Sequence, residues 1–159
     1  MRKSLIFVLL PLLAIAVGLF VYRSRCAQDR PRRMSLRALQ DFQQTLQAAK
    51  ADALLAAVAV PAALKDRTPA EQVEFVSKAL RDEVSPEGIA ALRAKAVFGP
   101  LKDIFPVEGA KWAQQAGVAV SDCVAFKAEK NGIRAEVAIA TNGPQYRIVR
   151  LNNVKQLGM

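Results

Sequence analysis

Asn131-Gly132 constrains this chain more than any other pair of residues in it. A two-residue type I′ turn needs positive φ at both central positions, and Asn-Gly tolerates that requirement well. With those two as the turn, Lys130 meets Ile133, and moving outward Ala128 meets Ala135, Phe126 meets Val137 and Val124 meets Ile139, all on one face. The other face sets Glu129 against Arg134 and Lys127 against Glu136, opposite in sign both times. A slip of one residue would exchange the two faces. Burying a large apolar side chain is worth about 1.5–3 kcal/mol and a cross-strand ion pair about 0.2–1 kcal/mol, so the apolar face sets the register and the charges agree with it. Those four charges are expected on a solvated face.

Asn142-Gly143-Pro144-Gln145 marks a second turn, leading into Tyr146-Arg147-Ile148-Val149-Arg150-Leu151. Pro144 lacks an N–H, so the loop must be longer than two residues. One loop length sets Ile148 beside Ile139 and another sets Val149 beside Val137, and the residues do not choose between them. Two consecutive apolar residues there imply a sheet covered on both faces at this end, or a bulge.

Upstream the pattern is helical. Leu36, Leu39, Phe42, Leu46, Ala49, Ala53 and Ala57 keep three- and four-residue spacing behind Ser35, a candidate N-cap. Thr68-Pro69-Ala70-Glu71 is a capping box with proline at the first helical position, followed by Val73, Val76, Leu80 and Val84. Ser85-Pro86-Glu87 repeats the cap-plus-proline device ahead of Ile89, Leu92 and Ala96, and Gly99-Pro100 is expected to end that helix. Leu101, Ile104 and Phe105 form an apolar plug, and a last helix from Pro106 carries Trp112 and stops at Gly117, an αL C-cap.

The N-terminal end has a different character. Residues 5–22 are uncharged, and as a helix they would span roughly 27 Å, close to a hydrocarbon core of about 30 Å. Arg23 and Arg25 stand where a signal peptidase would want small residues, so an uncleaved transmembrane anchor over 1–25 is preferred to a cleaved signal, with a basic linker over 26–34 and an α+β domain over 35–157. The six arginines that follow the run favour a cytoplasmic domain by positive-inside counting, whereas the Met1-Arg2-Lys3 start resembles an export signal. The balance tips slightly to the extracytoplasmic side. The formal charge of +9 is concentrated here: residues 1–37 carry eight Arg or Lys against one acid, and residues 38–159 carry fifteen against thirteen. A nearly neutral fold argues against nucleic acid as a partner.

Chemistry is constrained mainly by what the sequence lacks. It contains no histidine, which removes the usual zinc sets, the Ser-His and Cys-His nucleophile pairs and the commonest general base. No catalytic, cofactor-binding or metal-ligating residue is assigned and no cofactor is expected. The two cysteines, Cys26 and Cys123, do not fix a redox compartment. Asp122 and Tyr146 are the polar residues to seek in a pocket, with apolar walls from Phe105, Trp112 and Phe126. Arg147, Arg150 and Lys155 make the chain end basic, either as a charged guard on an edge strand or as a surface for an anionic partner.

Two stretches, residues 42–54 and residues 146–151, resemble the opening helix and the closing strand of the nuclear-transport-factor-2-like superfamily. That resemblance implies a sheet wrapped around helices into a cone with a pocket, over about residues 35–157. The superfamily holds enzymes as well as binding modules, and its carboxylate base with tyrosine and aspartate donors has no residue-by-residue match here. The expected fold is therefore α+β: an N-terminal transmembrane helix, then several helices packed on a C-terminal antiparallel β-meander. The expected function is a membrane-tethered, non-catalytic module binding a protein or a small apolar ligand. The alternative is a small isomerase or hydrolase working with pocket carboxylates.

Overall fold

A computed structural model describes residues 29–48 and 50–159. The chain divides into two compact units, Met1–Arg33 and Met34–Met159, and the second carries the whole sheet. Residues 29–48 are helical (α1), followed by α2 (Ala51–Ala57), a 3₁₀ turn (Ala62–Leu64), α3 (Pro69–Leu80), α4 (Pro86–Lys95), β1 (Val97–Pro100), α5 (Leu101–Ile104) and α6 (Glu108–Ala116). A second 3₁₀ turn (Val120–Asp122) leads into β2 (Cys123–Lys130), β3 (Ile133–Ala140), β4 (Arg147–Asn152) and α7 (Val154–Leu157). The sheet is antiparallel, in the order β1-β2-β3-β4.

The first hairpin has the expected register throughout, from Lys130 opposite Ile133 out to Val124 opposite Ile139. Asn131 and Gly132 take φ of 53° and 77°, as a type I′ turn requires. In the last strand the first alternative holds, Val149 does not meet Val137, and the bulge expected there is present. Ile139 faces Ile148, the register shifts between Ala138 and Ile139, and Val137 then faces Leu151, so Val149 is the extra residue of a bulge. The local caps also form as read: Thr68 and Glu71 close a reciprocal box, Ser85 accepts from Gly88 N–H, and Gly117 ends α6 at φ 65°.

Each face of the sheet is buried against helices. Phe126, Val137, Ile139, Ile148 and Leu151 pack with residues of α1 to α4 and α7 in one core. Cys123, Ala125, Ala138 and Ala140 pack on the other face under Leu101, Phe105 and Ala113. The small residues on that second face let α5 and α6 lie close to the strands, which is why β3 is buried on both sides from Ala135 to Ala140.

Several expectations are corrected. The expected transmembrane helix does not stand as part of this fold: no helix among the described residues is long and apolar enough to cross a membrane, and the anchor expected over 1–25 lies outside the described residues. The sheet has four strands rather than a three-stranded meander, because Val97–Pro100, expected at a helix end, pairs with residues 124–127 of β2. Phe98 stacks its ring 4.7 Å from that of Phe126, and this non-local contact decides the segment. Ser35 is not an N-cap; residues 29–33 are already helical and Ser35 lies wholly buried within α1. The helix expected to run on to Ala57 is interrupted at Lys50, whose backbone is extended.

Candidate functional site

Helix α3 places its Val73, Val76 and Leu80 stripe toward the first core and leaves Phe75 at its edge, 52% exposed. On the other side Val107, 81% exposed, opens α6 after Pro106. Between these helices runs β4, the last strand of the sheet, and the three enclose an open cleft of about 920 Å³. Phe75, Ala79 and Leu80 form one wall, Lys111, Trp112 and Gln115 the other, and Ile148 to Leu151 the floor. The end of the cleft is closed by Val58 to Ala63, with Ala59 N–H donating to Ile148 C=O at 2.8 Å.

Beneath the α6 wall lies a charged cluster. Glu136, 5% exposed, accepts from Arg134 Nε at 2.8 Å and lies 3.5 Å from an Arg150 guanidinium nitrogen. Arg134 also reaches Glu108 at 3.4 Å. The two guanidinium groups lie over aromatic rings, Arg134 at 5.9 Å from Phe105 and Arg150 at 5.4 Å from Trp112, and the two rings are 4.8 Å apart. The Glu136 hydrogen bond holds the Arg134 pKa above its ordinary value. Of the four charges expected on a solvated face, Glu129 and Arg134 are exposed and Lys127 is half-buried, and the expectation is corrected for Glu136 alone. Register pairs Glu136 with Lys127, but its carboxylate is taken by Arg134 on the same strand and by Arg150 from β4. Both partners approach on the face that α6 covers, so Glu136 is neutralised under that helix rather than in water.

The five residues expected to line one pocket are not brought together. Trp112 lines the cleft and Phe105 is buried in ring contact with it. Phe126 is wholly buried in the core on the opposite face. Tyr146 lines a separate cleft of about 450 Å³ with residues of α1 and α2. Asp122 closes the end of β2, accepting from Asn142 Nδ2 at 3.2 Å through its carboxylate and from Thr141 N–H at 2.8 Å through its carbonyl.

The three basic residues separate likewise. Arg147 and Arg150 face alanines of the same side of β3, but Arg150 is bound to Glu136, and Lys155 on α7 pairs with Asp82 at 3.3 Å. Among the described residues no group of three Cys, Asp or Glu side chains is placed to hold a metal ion. Burial, then the charge of Asp122, pushes the Cys123 thiol up to about 11, so it is a core group rather than a nucleophile.

Phe75 and Val107 were not among the expected site residues, and Glu136 was expected on a solvated face. Phe75 and Val107 carried a usable signal, since each is a large apolar residue outside the stripe that its helix buries. Glu136 carried none, because its burial depends on α6 and β4 arriving from elsewhere in the chain. No protein-family model, no curated protein and no solved structure matches this chain.

Proposed function

We propose that the unit Met34–Met159 is a non-catalytic binding module whose cleft between α3, α6 and β4 takes an apolar group of a small ligand or of a protein partner. The lining carries this proposal. Its walls present Phe75, Ala79, Leu80 and Trp112, and its one carboxylate among the described residues, Glu108, is paired with Arg134. Histidine-free catalysis would call for convergent carboxylates, one of them with a raised pKa. Asp122 and Tyr146, the pair that would have favoured an enzyme, stand at separate places. The nuclear-transport-factor-2-like resemblance belongs to the same proposal and agrees in having helices laid on an antiparallel sheet. The cleft, however, opens at the edge of that sheet, so the proposal stands on its lining and not on the resemblance.

A neutral solvatochromic dye such as Prodan tests it. Titration of the full chain should give saturable blue-shifted dye emission and a change in the emission of Trp112, the single tryptophan. Phe75→Glu should abolish both while leaving the circular dichroism spectrum intact. Binding unaffected by Phe75→Glu and Ala79→Glu, or no binding at all, would overturn the proposal.

A further inference from the structure

Resting on that reading, we propose that the occupant is an extended peptide of a different protein that adds to the open edge of β4, with apolar side chains toward α3 and acidic ones toward α6. Backbone phase is the first observation. In an antiparallel ladder the N–H and C=O of successive residues turn to opposite sides. Thr141 N–H donates to Asp122 C=O, which sets Ile139 and Val137 to bond toward β2. Their partners on β4, Ile148 and Leu151, therefore turn their peptide groups outward. Ile148 shows this directly, since its C=O accepts from Ala59 N–H at 2.8 Å.

The chain itself uses this edge once and then leaves it. Val58 bridges Ile148 in parallel, but Pro61 has no N–H to donate and the chain turns off into the 3₁₀ segment Ala62–Leu64. Leu151 lies beyond that point. Among the described residues no hydrogen bond reaches its outward N–H or C=O, and it forms part of the cleft floor. An edge in this state is a template for a further strand.

The walls specify the side chains. A strand laid on this edge alternates its residues between the two faces. One face meets Phe75, Ala79 and Leu80, and the other meets Lys111 and Gln115, one helical turn apart on α6. Lys111 makes no ion pair among the described residues, whereas the acid and the arginine beside it, Glu108 and Arg150, are already matched. The unmatched charge is positive, and a carboxylate complements it. A second copy of this chain fits poorly, because pairing β4 with β4 would bring Arg150 and Lys111 against the same cations.

The probe is a blocked Val-Glu-Val-Glu-Val pentapeptide, titrated into the ¹⁵N-labelled full chain with Trp112 emission as a second readout. The Leu151 amide should move downfield and gain protection from hydrogen exchange. Peptides N-methylated at alternate amides should separate, one binding like the parent and the other about tenfold weaker or worse, as loss of a strand hydrogen bond predicts. Val-Lys-Val-Lys-Val should bind more weakly than the glutamate peptide, and Lys111→Glu should reverse that order. Equal binding of both N-methyl peptides, indifference to charge, or a β4-paired dimer in sedimentation would overturn the proposal. Dye binding that Phe75→Glu abolishes, without any peptide binding, would remove this inference and leave the binding module standing.

Discussion

Replacing Gly88 by alanine should destabilise the domain, although glycine inside a helix is ordinarily worse than alanine by about 0.5–1 kcal/mol. Gly88 lies in the first turn of α4, buried against the backbone of α7. An added Cβ would collide with the Val154 carbonyl oxygen and would lie 2.7 Å from Val154 C and 3.1 Å from Lys155 Cα. None of these atoms can rotate away, so α7 itself must shift. That helix holds Val154 and Leu157, both fully buried, and is tied down where Lys155 N–H donates to Glu83 C=O at 2.9 Å and Lys130 Nζ donates to Leu157 C=O at 3.1 Å. Complete release of the two side chains would cost about 3–6 kcal/mol at 1.5–3 kcal/mol each. Partial displacement, offset by the gain in helix propensity, leaves a net loss of about 2–4 kcal/mol.

Urea denaturation followed by Trp112 emission and far-ultraviolet circular dichroism measures this loss. Ala90→Gly, on the exposed side of the same helix, is the control and should cost about 1 kcal/mol. In a Leu157→Ala background, where α7 is already loosened, Gly88→Ala should cost less than it does alone. A Gly88→Ala variant as stable as the parent or more so would refute the packing of α7 on α4.

Glu136→Gln keeps the shape of the side chain but removes the charge held between Arg134 and Arg150. Charged hydrogen bonds are worth about 1.5–3 kcal/mol and the partners are partly open to water, so a loss of about 1–2 kcal/mol is expected in the same denaturation assay. No loss would mean that the cluster adds nothing to stability. In a Cys26→Ser chain, Cys123 should react with iodoacetamide far more slowly than the same thiol in urea, and its pH–rate profile should have its midpoint near about 11. Because the folded thiol pKa is raised, the stability linked to it is intact below the unfolded value of about 8.5 and declines as pH rises toward about 11. A folded-state midpoint near 8.5 would contradict the burial of Cys123.

What the residues determined by themselves is what neighbouring residues can decide between them. Asn131-Gly132 set a turn whose geometry and flanking alternation leave one register, and that register is found from Cys123 to Ala140. Thr68 with Glu71, Ser85 with Pro86, and Gly117 set helix ends, because each satisfies or ends a backbone ladder within a few residues. Tertiary structure decided the rest. Val97–Pro100 carries no alternation and is a strand only because β2 offers it an edge and Phe126 a ring. The extra residue of β4 could be placed only once β3 and the Ala59 bond held Ile148. Glu136 read as a surface charge until α6 and Arg150 covered it, and Gly88 read as a weak point of a helix until α7 lay against it. Of the cleft, Trp112 was expected as an apolar wall, but the site as a whole was not legible, since its floor and walls come from segments more than 30 residues apart and no local pattern records which helix faces will meet. A pair contact within a hairpin is set by turn chemistry and strand period, whereas a contact between distant elements depends on how every apolar face is shared out in the final packing.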